Sequence, residues 1–258
     1  MASKLHVRSN SLPNGSHPCS SRVQEQLNNL RNFEATCTSE SVVKGLSLLE
    51  DIYFSMSKAI SDNQSEKCFQ EILDVCGIAR DTVMQIKENV QSLHSSLRRR
   101  KGDSCIEKSI AEYNSSSKKM RKNVNKLITS LKHLQSKYGI LNQHQDLSIL
   151  SEVIAMNMCV FQCLLSFLSG PSKSKASKWM NKLMQKEEVN SESGNELQLV
   201  DAALNTLLNE GAKGSQIQAS NEQLEALEIA IESIESGLEN LFRRMIKTRT
   251  SLLNKLSQ

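Results

Sequence analysis

Helix breakers are scarce in this 258-residue chain, with 3 Pro and 10 Gly, and aromatic residues make up only 4% of it. With Leu, Ser, Lys and Glu abundant, that scarcity argues against a sheet protein and fits long helices. Cysteine chemistry is equally thin. There are 7 Cys, an odd number, with no CxxC pair and no His at ligand spacing from a Cys, which excludes the usual zinc sites and disulfide scaffolds. Cys159 and Cys163 sit four apart in an apolar stretch, where reduced Cys behaves as a small hydrophobe, so a reducing, cytoplasmic setting is expected. No apolar leader opens the chain, so secretion is not expected. Catalytic signatures are missing too: no Gly-rich phosphate loop, no HExxH, no GxSxG and no paired Cys–His arrangement. The sequence therefore implies no enzyme, no cofactor and no catalytic or metal-binding residue. The 32 basic and 28 acidic residues nearly cancel to a net +4. That balance and the lack of aromatic interleaving exclude nucleic acid as the expected partner.

What the chain does contain is heptads. Leu224, Leu227, Ile231, Ile234, Leu238, Leu241 and Met245 alternate in steps of three and four, and Thr248 and Leu252 extend the row. A second row runs through Ile106, Ile110, Tyr113, Ser117, Met120, Val124, Leu127, Leu131, Leu134 and Tyr138. A 3.5-residue period places a narrow apolar stripe along a long helix, which must be buried against other helices. Such a seam specifies helix pairing and protein partners, but not whether the partner helix belongs to the same chain. The oligomeric state stays open.

Residues 1–22 form a Ser-rich tail with no acidic residue before Glu25, predicted to be disordered. Residues 23–258 read as one helical-bundle domain. Val23, Leu27, Leu30 and Phe33 predict a short helix. A second from about Glu40 carries Val43, Leu46, Leu49, Tyr53, Met56 and Ile60 on one face. A third, through Phe69, Ile72, Val83, Ile86, Val90 and Leu93, closes at Arg98-Arg99-Arg100-Lys101-Gly102, the basic and glycine chemistry of a helix C-terminus. The heptad helix over 103–138 follows, then a helix over 146–168 that is apolar nearly all round and is expected at the centre of the bundle. Gly170-Pro171 stops it. A polar linker near 171–195 holds Trp179 and Leu183 as a short helix. A helix over 197–208 and the long C-terminal one after Gly211 and Gly214 complete the chain.

Three segments carry functional candidates. The apolar stretch 148–169 has the length of a membrane span, with Lys173, Lys175 and Lys178 following it. Glu152, Asn157 and Gln162 would be costly in lipid and favour a bundle core instead. In the tail, Arg8-Ser9-Asn10-Ser11-Leu12-Pro13 resembles a mode I 14-3-3 ligand. A phosphate on Ser11 would add nearly two negative charges for an Arg cluster, and Pro13 would turn the chain away. The same tail has the composition of a plastid transit peptide. The basic clusters at 98–101, 118–122 and 173–178 read as solvated helix ends, with anionic-membrane or nuclear-import patches as the alternative.

Longer strings carry a family resemblance. His6-Val7-Arg8-Ser9-Asn10-Ser11-Leu12-Pro13, His17-Pro18 and Val23-Gln24-Glu25-Gln26-Leu27-Asn28-Asn29-Leu30 stand with Leu48-Leu49-Glu50-Asp51-Ile52-Tyr53, Gln70-Glu71-Ile72-Leu73-Asp74-Val75-Cys76-Gly77 and the Arg98–Gly102 run. Together they resemble the plant-specific domain of unknown function 241 family, also described as BYPASS-like. The resemblance implies an all-helical fold and a part in root and shoot development. It implies no catalytic or binding residue. The expectation is thus an elongated all-α bundle of about five to seven helices, non-enzymatic, acting through protein partners, with membrane anchoring by 148–169 as the alternative.

Overall fold

A computed structural model describes residues 25–26, 28–29, 38–56, 63–99, 103–138, 145–169, 195–211 and 214–257. Among them are six helices and no strand: α1 (Ser39–Met56), α2 (Asn63–Arg98), α3 (Asp103–Tyr138), α4 (Gln145–Ser169), α5 (Glu196–Glu210) and α6 (Gly214–Leu256). Glu25, Gln26, Asn28 and Asn29 are helical as well. The tail, Ile60, Gly102, Gly139 and the linker with Trp179 lie outside the described residues.

Helix α6 has 43 residues, about 65 Å at 1.5 Å per residue, and it packs against α1, α2 and α5. Cross-helix pairs fix the directions. Glu66–Arg249, Arg80–Glu239, Lys87–Glu232 and His94–Glu228 run in opposite order along α2 and α6, so these helices are antiparallel. Leu46 against Gly237, Glu50 with Arg244 and Tyr53 with Thr248 run in the same order, so α1 lies parallel to α6. Helix α3 returns along α2, α4 packs on α1 and α3, and α5 packs on α6 with its start beside the start of α1 and the end of α4.

The seam residues Leu224, Leu227, Ile231, Ile234, Leu238, Leu241 and Met245 are all buried within this one chain. Helix α6 packs chiefly on α1, α2 and α5, and the helix of the second heptad row packs chiefly on α2 and α4. Helix α6 packs against three others and organises the core, while the 146–168 helix, expected at the centre, is buried over most of 153–168 where it packs on α1 and α3. Along α1 it is Val42 that is fully buried, and Val43 is half-exposed. Adjacent valines satisfy the same apolar spacing within one residue.

Polar groups inside the core are placed at helix ends and crossings. Tyr53, stacked edge-on against Phe69 at 5.5 Å, donates its hydroxyl to Asn157 Oδ1 at 3.1 Å. Burial holds the Tyr53 phenol well above its ordinary pKa, so it stays a donor. Asn157 in turn donates to Val153 O at 2.7 Å. Thr248 Oγ1 donates to Tyr53 O at 2.9 Å, satisfying one of the carbonyls that the last turn of α1 leaves without an intrahelical donor. Asn195 does similar work twice. It caps α5 through a reciprocal pair with Gln198, and its Nδ2 donates to Phe167 O at 3.1 Å in the last turn of α4.

Candidate functional site

Two concave features stand out, one apolar and one polar. The apolar one lies between α1 and α6. These helices approach closely at Gly237, where a Cβ would sit 3.1 Å from Leu46 Cδ1. Nearer the N-terminus of α1, Ala226 and Ala230 present little bulk, and a groove of about 710 Å3 opens. Val43 and Leu48 of α1 form one wall, and Ile229 of α6, 62% exposed, forms the other. At its end Ser39 Oγ donates to Glu196 Oε1, while Glu196 Oε2 is buried without a donor. The groove thus combines an apolar floor with charged side chains of both signs, Glu40, Lys44 and Glu196.

The polar feature lies between α3 and α5, about 260 Å3 in volume, lined by Asn114, Ser117, Lys118, Arg121, Asp201 and Asn205. Arg121 Nη2 donates to Asp201 Oδ2 at 3.3 Å, and the Tyr113 hydroxyl reaches Asp201 Oδ1 at 3.5 Å. Desolvation raises the Asp201 carboxyl, an effect the Arg121 charge opposes. Burial, reinforced by the neighbouring Asp201 charge, raises the Tyr113 phenol far above its usual range. Arg121 Nε is buried without an acceptor.

A third set of charges is structural. Arg80 and Arg243 both meet Glu239, at 3.1 and 2.7 Å, and Lys87 bridges Glu232 and Glu235 at 3.1 and 2.8 Å. Arg80 also lies over the Phe242 ring at 4.6 Å, and Arg244 over Phe54 at 4.8 Å. The acidic first half of α6 thus faces the cations of α2 and sets the register of that pair. This pairing lies beyond the helix-dipole reading of the α6 charges.

The sequence candidates fall unevenly on this map. Arg8, Ser9, Ser11 and Pro13 lie outside the described residues, as do Arg100, Lys101 and the 173–178 cluster. Lys118, Lys119 and Lys122 are exposed on α3, and Lys118 lines the polar cleft. Helix α4 is long and apolar enough over Glu152–Ser169 to cross a membrane, with about two-thirds of that span buried in the bundle. No group of three or more potential metal ligands occurs among the described residues. Sequence reasoning missed both the groove and the cleft. Ser117, a polar residue inside an apolar heptad row, is the one local signal that marks the cleft.

These features define a class first: a bundle of long helices with concavities between its helix faces. A family model described as Protein BPS1 matches residues 45–254, most of the chain, and the protein belongs to that family, the BYPASS-like plant proteins. The Leu48–Tyr53, Gln70–Gly77 and Arg98–Gly102 strings fall inside the matched region; those before Glu40 do not. No curated protein and no solved structure matches the chain.

Proposed function

We propose that this BYPASS-like protein is a non-enzymatic interaction protein of plant root and shoot development, and that its groove between α1 and α6 receives an amphipathic helix of a partner protein. The observation that carries the reading is the conjunction at that groove of an exposed Ile229 with a buried Glu196 oxygen lacking a donor. An apolar face laid over Val43, Leu48 and Ile229 removes exposed hydrocarbon from water. A Lys or Arg on the same helix supplies Glu196 with the charge-assisted hydrogen bond it lacks. The developmental setting comes from the family resemblance. The tail adds a switch: phosphorylated Ser11, flanked by Arg8, Ser9 and Pro13, is a ligand for a 14-3-3 protein.

The test is affinity purification of the full chain from plant tissue, separated into soluble and carbonate-washed membrane pools, beside Ile229→Glu and Ser11→Ala variants. The expected result is a set of soluble partners lost with Ile229→Glu at unchanged Tm, and 14-3-3 lost with Ser11→Ala. An identical partner set for Ile229→Glu refutes the groove. The second reading, membrane anchoring through residues 148–169, draws on the apolar length of α4. Protein resisting the carbonate wash would favour it.

A further inference from the structure

We propose that the cleft between α3 and α5 binds a small phosphorylated polyol, its phosphoryl group held by Arg121 and Lys118 and its hydroxyls by Asp201, Asn114 and Asn205. The site is separate from the α1/α6 groove and does not depend on the function assigned to it. Two cations of α3, Lys118 and Arg121, line the cleft, and a single carboxylate among its lining residues, Asp201, faces them from α5. The cleft is therefore positively charged and favours an anion. Its donors are also under-used. Arg121 spends one Nη2 bond on Asp201 at a long 3.3 Å, and its Nε is buried with no acceptor.

Within hydrogen-bond reach of protein groups, Lys118, Asn114 and Asn205 make no side-chain bond or ion pair among the described residues. A guanidinium fork beside an ammonium is the donor set that a phosphoryl oxygen cluster matches. The remaining groups select the rest of the molecule. Asp201 has lone pairs left beyond its contacts to Arg121 and Tyr113, and it accepts from a hydroxyl. Asn114 and Asn205 offer both a donor and an acceptor, which also suits hydroxyl groups. At about 260 Å3 the cleft is below the range of drug-sized pockets and admits one small polar molecule. It has no aromatic floor on which a base could stack.

The experiment is calorimetric titration of the full chain with sn-glycerol 3-phosphate and with myo-inositol 1-phosphate. In parallel, flotation uses phosphatidylcholine vesicles doped with phosphatidylinositol 4-phosphate or with phosphatidylserine. Saturable binding that weakens about tenfold in Lys118→Gln and in Arg121→Gln supports the site, tenfold being the loss of one charge-assisted hydrogen bond. Binding of the free esters makes the ligand a soluble metabolite. Binding only to the phosphoinositide vesicles makes it a lipid headgroup. Lys118→Gln removes an exposed side chain that makes no hydrogen bond or ion pair among the described residues, so it stays informative if Arg121→Gln fails to fold. No saturable binding in either arm overturns the proposal. So does affinity unchanged in Lys118→Gln, or equal binding to phosphatidylserine vesicles.

Discussion

Along α6 the heptad positions from Leu224 to Met245 are all apolar and all buried, whereas along α3 the same spacing places Ser117 between the buried Tyr113 and Met120. The two rows look alike as patterns, but their surroundings differ. The α6 row is enclosed by α1, α2 and α5, so every position has a neighbour. The α3 row loses its cover at Ser117, and there the polar cleft opens. A heptad therefore reports that a helix is packed, and its interruptions report where the packing yields to a surface that can hold something.

The sharpest way to break this contrast is to cut a cavity into the closed row. Leu238→Ala should destabilise the protein by about 2–5 kcal/mol, read as a lower urea midpoint at unchanged slope. A smaller loss would mean that the α6 row is not closed at Leu238. Thr248→Val preserves shape in the closed row but removes the donor to Tyr53 O, and should cost about 1–2 kcal/mol in the same assay. In the open row the sign reverses. Ser117→Leu should raise stability by about 0.5–1 kcal/mol by adding apolar contact at a half-buried site. It should also close the cleft, so the glycerol phosphate titration should go silent. The smallest effect concerns charge outside either row. Hydrogen bonding from Arg243, then the charges of Arg243 and Arg80, holds the Glu239 carboxyl below its ordinary value of 4.5. Its contribution is thus present above that value and is lost as pH falls through the lower folded value. Glu239→Gln should cost about 0.5 kcal/mol at pH 7, a figure kept small by solvent screening, and progressively less as the medium is acidified.

These differences mark how far residues alone could be read. Helix ranges at 103–138, and nearly so at 146–168 and 197–208, were legible because apolar spacing is a local property of the chain. The partners of each stripe were not, since Arg121 and Asp201 are 80 residues apart in sequence and meet only through the topology. The groove was hidden for another reason. Ala226 and Ala230 fit a buried face as readily as a shallow one, so small size alone does not announce a concavity. Val42 and Val43 could not be ranked because adjacent valines satisfy the same period. Seven seam residues were identified from spacing, yet their spacing could not say that α1, α2 and α5 of the same chain would cover them.

Asn195 has a consequence for how this chain tolerates change. Because its side chain holds Phe167 O at 3.1 Å while capping α5, one amide ties the last turn of α4 to the first turn of α5. Joining two such anchors costs only about 0.6 kcal/mol more for each doubling of the chain between them. The tie at Asn195, and not the length of sequence separating the two helices, therefore sets how α4 and α5 meet, and an insertion between them should leave both in register.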